Sequence, residues 1–247
     1  MKPFCLALFV LPCLAASVSY AQDAAPGVVP LKEAKLNIEH NYTDEDTGFQ
    51  GAIDSEGWKE LKFKGPGGLV LDLEATGELR KLGMTELFFE TVEPENADVP
   101  IHKLLSKMPA GSYKIFGPAG GPDAGKITAG RAWLTHVIPK GPTLQTPAGG
   151  ITVPVADLAF DWDPVTQTID NKPVSIIAYQ LIVEKVQPPH KHMIGKKGSL
   201  SMYVGPSVTA MTVPAAFFEP GSDYSWEVLA IEPSGNQTLS SAEFRTE

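Results

Sequence analysis

The sequence predicts an all-β chain built as two β-sandwich-like domains. Three observations lead there. Apolar residues recur with a period of about 2 rather than about 3.6. The apolar runs are short and separated by turn chemistry, with 22 prolines and 23 glycines in 247 residues. Sustained helical periodicity is confined to a single short segment.

Taken in order, the chain begins with MKPFCLALFVLPCLAASVSYAQ, which has the three parts of a secretory signal. Lys2 supplies the positive start, Phe4 to Ala16 the apolar stretch, and Ser19, Tyr20 and Ala21 a small-x-small cleavage site. The apolar stretch falls short of the roughly 20 residues that a membrane-spanning helix needs. The expectation is therefore an extracytoplasmic protein, periplasmic or secreted, cleaved after Ala21. Lipidation at Cys13 is the minor alternative, because Pro12 stands where a lipoprotein box wants a small residue. Both cysteines, Cys5 and Cys13, lie in this leader, so the rest of the chain has neither disulfides nor thiol chemistry. The formal charge is −9. Such a chain repels phosphate backbones and excludes nucleic acid as the expected partner. No later segment is apolar for long enough to span a membrane.

Residues 22–34 read as a flexible lead-in rich in Pro, Ala and Gly, and residues 35–139 as an N-terminal β domain. In KLNIEHNY, Leu36, Ile38, His40 and Tyr42 share one face and Lys35, Asn37, Glu39 and Asn41 the other. FQGAI, WKELKF, LVLDLEA, TELFFETV, SYKIF and KITAGRAWLTHVI follow as strands, with GPGG and GPAGGPDAG as connections. In TELFFETV adjacent phenylalanines point to opposite faces, and burial of both is expected because large exposed apolar groups are uncommon. VPIHKLLSKMP, with Ile101, Leu104, Leu105 and Met108 at helical spacing, is the one helix expected. KGPTLQTPAGG marks the boundary at 140.

Residues 140–247 then carry a second strand series: VADLAFDW, VSIIAYQLIVEK, SLSMYV, SVTAMTVP, DYSWEVLAI and LSSAEFRT, with a leading strand in 142–148. Leu158, Phe160 and Trp162 alternate in one strand, Tyr179, Leu181 and Val183 in the next. Tyr224, Trp226, Val228 and Ala230 alternate in another, before EPSGNQTLS and the closing Phe244. This half resembles a fibronectin type III domain, an immunoglobulin-like sandwich, and the resemblance implies that these positions face the space between two sheets. It also implies that Tyr224 is a tyrosine-corner residue, its hydroxyl bonding back to nearby backbone. The long insert VQPPHKHMIGKKG departs from the family pattern, and there is no Arg-Gly-Asp tripeptide. The first half resembles the leading domain of bacterial exported proteins that carry such modules, through EHNYTDEDTGFQ, DSEGW, GPGG and TELFFETVEPE. That likeness brings no activity with it.

Chemistry-bearing candidates are few. The acidic turn after KLNIEHNY offers Asp44 and Asp46 as calcium ligands. It is not an EF-hand, since counting from Asp44 puts Gly48 and Phe49 where a ligand and the glycine belong. The competing reading is an Asx-type turn with Gly48 at the positive-φ position. No cofactor is expected; calcium at this turn is the first exception, and weak transition-metal binding by His190 and His192 the second. His40 and His136 read as hydrogen-bonded, half-buried strand histidines and His102 as solvent-facing on the short helix. His190, Lys191, His192, Lys196 and Lys197 form a basic loop in an acidic domain, a candidate partner-binding site. No G-x-S-x-G elbow and no phosphate-cradling glycine loop followed by a helix occurs. The function expected is thus non-catalytic: binding or display of a protein, glycan or envelope component through the 41–48 turn, the 188–198 loop and exposed aromatics. The alternatives are a calcium-stabilised structural module and a carbohydrate-active enzyme using paired carboxylates.

Overall fold

The computed structural model describes residues 26–247 apart from Asp157. The expected signal peptide, its expected cleavage site after Ala21 and Cys13 lie outside the described residues. The protein is all-β and sandwich-like, organised around two hydrophobic clusters.

Eight strands come from the first half: β1 (Val28–Pro30), β2 (Glu33–Asn41), β3 (Asp46–Trp58), β4 (Glu60–Gly65), β5 (Gly68–Glu74), β6 (Met84–Glu90), β7 (Gly111–Pro118) and β8 (Ile127–Leu134). One sheet has the order β1-β8-β7-β4-β5, and β2, β3 and β6 lie together in a second. Leu36, Ile38, Phe49, Ile53, Leu61, Phe63, Tyr113, Ile115 and Leu134 fill the space between them. Alternation builds this core, because every second residue of each strand points inward. The short helix α2 (Ile101–Leu105) covers one end with Leu104, much as the sequence predicts. A second helix, α1 (Gly77–Leu82), was not legible: it buries no residue and so has no apolar stripe to announce it.

Three expectations for this half are corrected. Residues 28–34 are not a tether: β1 pairs in parallel with β8, and the Leu31 amide donates to the Ala129 carbonyl at 2.9 Å. Gly130 makes this docking feasible, since a Cβ there would sit 2.9–3.2 Å from the Leu31 side chain. Tyr42 does not continue the inward face but lies beyond the end of β2, 56% exposed. Phe88 is 66% exposed. One face of β6 meets the core through Phe89, and the other, which carries Phe88, is the uncovered outer face of the sheet and meets water.

The second half contributes β9 (Leu144–Thr146), β10 (Thr152–Val153), β11 (Ala159–Trp162), β12 (Ala178–Lys185), β13 (Ser199–Val204), β14 (Ala210–Thr212), β15 (Asp223–Ile231) and β16 (Gln237–Thr246). A three-stranded sheet, β14-β11-β9, faces the run β13-β12-β15-β16. Trp162, Trp226, Tyr179, Tyr224, Phe160 and Phe244 are all buried between them. Phe160 packs edge-on to Trp226 at 5.1 Å and Trp162 edge-on to Tyr179 at 5.6 Å. Tyr224 Oη accepts from the Glu219 amide at 2.8 Å, the backward bond that the resemblance implies.

The two sandwiches share a sheet. β16 pairs in parallel with β2, matching Gln237 to Glu39, Thr238 to His40 and Leu239 to Asn41. Among the described residues the order is therefore β13-β12-β15-β16-β2-β3-β6, continuous across both halves, with β10 on the far part of β16. Asn236 locks the joint from a fully buried position. Its Oδ1 accepts from the Ile38 amide at 2.9 Å, and its Nδ2 donates to Thr135 Oγ1 at 2.9 Å and to the Val137 carbonyl at 2.8 Å. Thr238 Oγ1 donates to the Pro139 carbonyl at 2.7 Å, a second bond between the halves.

Candidate functional site

Where the halves meet, the shared sheet turns its outer face to solvent and forms a groove of about 940 Å³. Its floor follows from strand alternation. Leu36 and Ile38 point into the core, so Asn37 and Glu39 must point out. Register then places Gln50 of β3 opposite Asn37, and Gln237 of β16 opposite Glu39. The three amides bond to one another. Asn37 Nδ2 and Gln237 Nε2 both donate to Gln50 Oε1 at 3.2 Å. Gln50 Nε2 donates to Glu90 at 2.8 Å, and Gln237 Nε2 also donates to Glu39.

Two large rings enter this groove, one from each sandwich. Trp133 lies on β8 between the buried Ala132 and Leu134, which turns its indole outward, 63% exposed. Tyr203 lies on β13, the edge strand at the other end of the shared sheet, 65% exposed. Ile177 and the 232–235 loop complete the lining. The Ser234 and Thr135 hydroxyls are 2.6 Å apart, which ties that loop to the strand end behind Trp133.

Beside the amide floor, Glu39, Glu90 and Glu93 bring carboxylate oxygens within 4.8 Å of one another. Burial, then repulsion from Glu39, Glu90 and Asp46, pushes the Glu93 carboxyl up to about 7. Glu39 is also raised, chiefly by burial, against the bond from Gln237. The trio is assembled by β2-β3-β6 pairing and by Gly48, where a Cβ would meet Glu93 Cγ at 2.7 Å. Sequence reading missed it, because the three residues belong to distant segments and only register joins them.

The residues singled out from sequence lie elsewhere. Asp44 and Asp46 flank the β2–β3 turn, and neither belongs to the carboxylate trio. The turn is of Asx type, but Asn41 makes it: its Oδ1 accepts from the Thr43 and Asp44 amides, both at 3.0 Å. Glu45, at φ 57°, takes the left-handed position expected of Gly48, which instead pairs with Glu39 inside β3. The three-residue offset arises because β3 starts at Asp46, leaving the glycine already in the ladder. His40 is buried and donates from Nδ1 to the Asp46 carbonyl at 3.0 Å, with Thr47 Oγ1 also at 3.0 Å. Burial lowers its pKa. It lines a second cleft of about 860 Å³ with Tyr42, Lys140 and Ser240. His136 lies just past β8 and bonds to the Met108 carbonyl at 2.9 Å; His102 is exposed on α2.

His190, Lys191, His192, Lys196 and Lys197 all project from the exposed loop between β12 and β13. Lys196 bonds to Glu184, and the two histidine rings are 6.0 Å apart. The loop sits at the opposite end of this hairpin, about 15 Å from Tyr203 along β13 and about 25 Å from Ile177 along β12 at strand spacing. Structure thus joins neither the acidic turn nor the basic loop to the groove.

Among known proteins, no family profile and no curated protein matches the chain. Solved structures similar to it include the chicken CNTN1 FN1-FN3 domains, at 12% identity and TM-score 0.32, covering 91% of this chain and 66% of that one. A tetra-tandem repeat in the extending region of a large adhesion protein is similar at 11% identity and TM-score 0.30, covering 87% and 50%. The chain spans just under two thirds of the length of the first and half that of the second. The sheet order given above defines the fold independently of both.

Proposed function

We propose that this chain is a non-catalytic binding protein of the extracytoplasmic space, and that its ligand surface is the groove at the joint of the two sandwiches. The observation that carries this is the pair Trp133 and Tyr203, two large rings left in solvent over a floor of pre-bonded amides. Ordinary packing hides such rings, and exposed ones concentrated in one concavity mark contact sites. Each element of the groove is held by rigid structure: strands supply the floor, and buried Asn236 fixes the two halves against each other. A binding surface so organised loses little conformational entropy on engagement. The basic loop and the acidic turn contribute at most a separate contact, given their distance from the groove. Affinity capture from the extracytoplasmic fraction of the source cell, with wild type beside W133A, tests the reading. The wild type should retain a ligand that W133A does not; equal recovery by both would remove the groove from the function.

One observation favours the alternative of a carbohydrate-active enzyme. Glu39, Glu90 and Glu93 converge, and burial with the neighbouring carboxylates pushes Glu93 up to about 7, the range in which a general acid works. They stand on an open sheet face and line neither of the clefts above, which is why binding is preferred. Hydrolysis of a glycoside panel by wild type, abolished in E93Q, would reverse that order.

A further inference from the structure

We infer that the groove takes a neutral oligosaccharide, an assignment that rests on the binding function proposed above and narrows it. The chemistry of the lining selects the ligand class. A protein–protein interface places a desolvated apolar core at its centre and polar groups at the rim. Here polar and apolar groups share one lining instead: the Asn37, Gln50 and Gln237 amides stand in it together with Trp133, Tyr203 and Ile177. A sugar ring presents the complementary arrangement, with C–H faces that lie on aromatic rings and hydroxyls around its edge that need paired donors and acceptors.

The floor retains that capacity. A carboxamide has two donors and an acceptor with two lone pairs. Both Gln237 donors are engaged, by Glu39 and Gln50, which leaves its Oε1 as a free acceptor. The Asn37 amide uses one donor, on Gln50, and keeps its second N–H and its Oδ1. Gln50 spends its oxygen on Asn37 and Gln237 and its N–H groups on Glu90 and Glu39. Two acceptor oxygens and one donor thus remain among these three side chains, fixed in direction by their mutual bonds. A pair of vicinal hydroxyls, each both donor and acceptor, matches such a set.

Charge sets the remaining boundary. Glu39 and Glu90 bond to the floor amides from beside them, with Glu93 adjacent, in a chain of net charge −9, and Lys35, the cation in the lining, is paired with Glu33. Uronic or sulfated sugars would be repelled there, whereas uncharged ones are not. A volume of about 940 Å³ has room for several pyranose rings in a row, at the upper end of the roughly 300–1,000 Å³ typical of ligand sites.

The test is calorimetric titration of the purified chain with cellotetraose, mannotetraose, tetra-N-acetylchitotetraose and tetragalacturonate, with tryptophan emission followed in parallel. Binding of at least one of the three neutral tetrasaccharides is expected, and of tetragalacturonate not. Because their side chains are exposed, W133A and Y203A should keep the wild-type melting temperature to within a few degrees. Each should weaken binding by roughly tenfold or more, as loss of an aromatic anchor does. The double variant K191A/K197A, in the distant loop, should bind as wild type does. Absence of binding to all three neutral probes, preference for tetragalacturonate, or full binding by W133A would each overturn the assignment. The capture experiment separates the two levels of the claim. If W133A loses a captured protein partner while no neutral probe binds, the groove stands and the glycan falls; if W133A changes neither result, both fall.

Discussion

The two sandwiches of this protein are built by different means. The C-terminal one is closed by aromatic mass: Trp162, Trp226, Tyr179, Tyr224, Phe160, Phe218 and Phe244 are buried between its sheets. The N-terminal one has a largely aliphatic core, with Phe49, Trp58, Phe63 and Tyr113 as its aromatic members, and one of its sheets continues into the other half through β16. Each sandwich is held by its own side chains. The two are joined through backbone hydrogen bonds and the buried Asn236 amide. The difference teaches that the halves are one mechanical unit, with the groove at their seam.

The largest expected effect tests that unity. Trp226 is fully buried against Phe160, and Trp226→Ala should cost about 3–5 kcal/mol. In a chain of this size that is a fall in melting temperature of roughly 10 °C or more. With a shared sheet, one cooperative transition should move as a whole, followed by far-UV and near-UV circular dichroism together. A variant in which only part of the signal melts early would show two independent sandwiches instead.

Asn236→Ala comes next. It leaves the Ile38 amide and the Val137 carbonyl without their side-chain partner inside the joint, at about 1–3 kcal/mol for each buried group stranded. Its signature should differ from that of Trp226→Ala: loss of cooperativity between the halves and faster amide exchange at Ile38. Unchanged exchange at Ile38 would mean that the pairing of β2 with β16 does not depend on this lock.

The smallest effect concerns pH. The folded state holds the Glu93 proton up to about 7, whereas an ordinary carboxyl releases it near 4.5. Between those values the folded chain binds more protons than the unfolded one, so this group makes stability fall as pH rises from about 4.5 to about 7. His40, whose folded pKa is lowered, works the other way: its contribution is present above its ordinary value near 6.5 and is lost as pH falls below it. Urea midpoints across this range should therefore decline less steeply with rising pH in Glu93→Gln than in wild type. Equal slopes would show that the carboxylate trio is not closed in solution.

Fold class was written in the sequence because it depends on local alternation. Leu36 and Ile38, Tyr179, Leu181 and Val183, and Tyr224, Trp226 and Val228 each recur every second residue, and each faces a core. The errors share a cause. Phe88 was expected inside because nothing in TELFFETV says that the outer face of β6 is left uncovered. Val28 to Pro30 looked like a tether because its partner, β8, lies about a hundred residues on. Of the groove, only the expectation that exposed aromatics make contacts was legible; Trp133 and Tyr203 carry no mark of it in their own segments.

By itself the sequence determined what each strand buries, since the inward set is fixed by side-chain polarity two residues at a time. Which strand lies beside which was decided only in three dimensions. The bonds joining β2 to β16 run between backbone groups that every residue possesses, so they leave no trace in composition or spacing. That pairing brings Gln237 to Glu39 and Gln50. It makes from two ordinary sandwich faces the surface on which the function is proposed to rest.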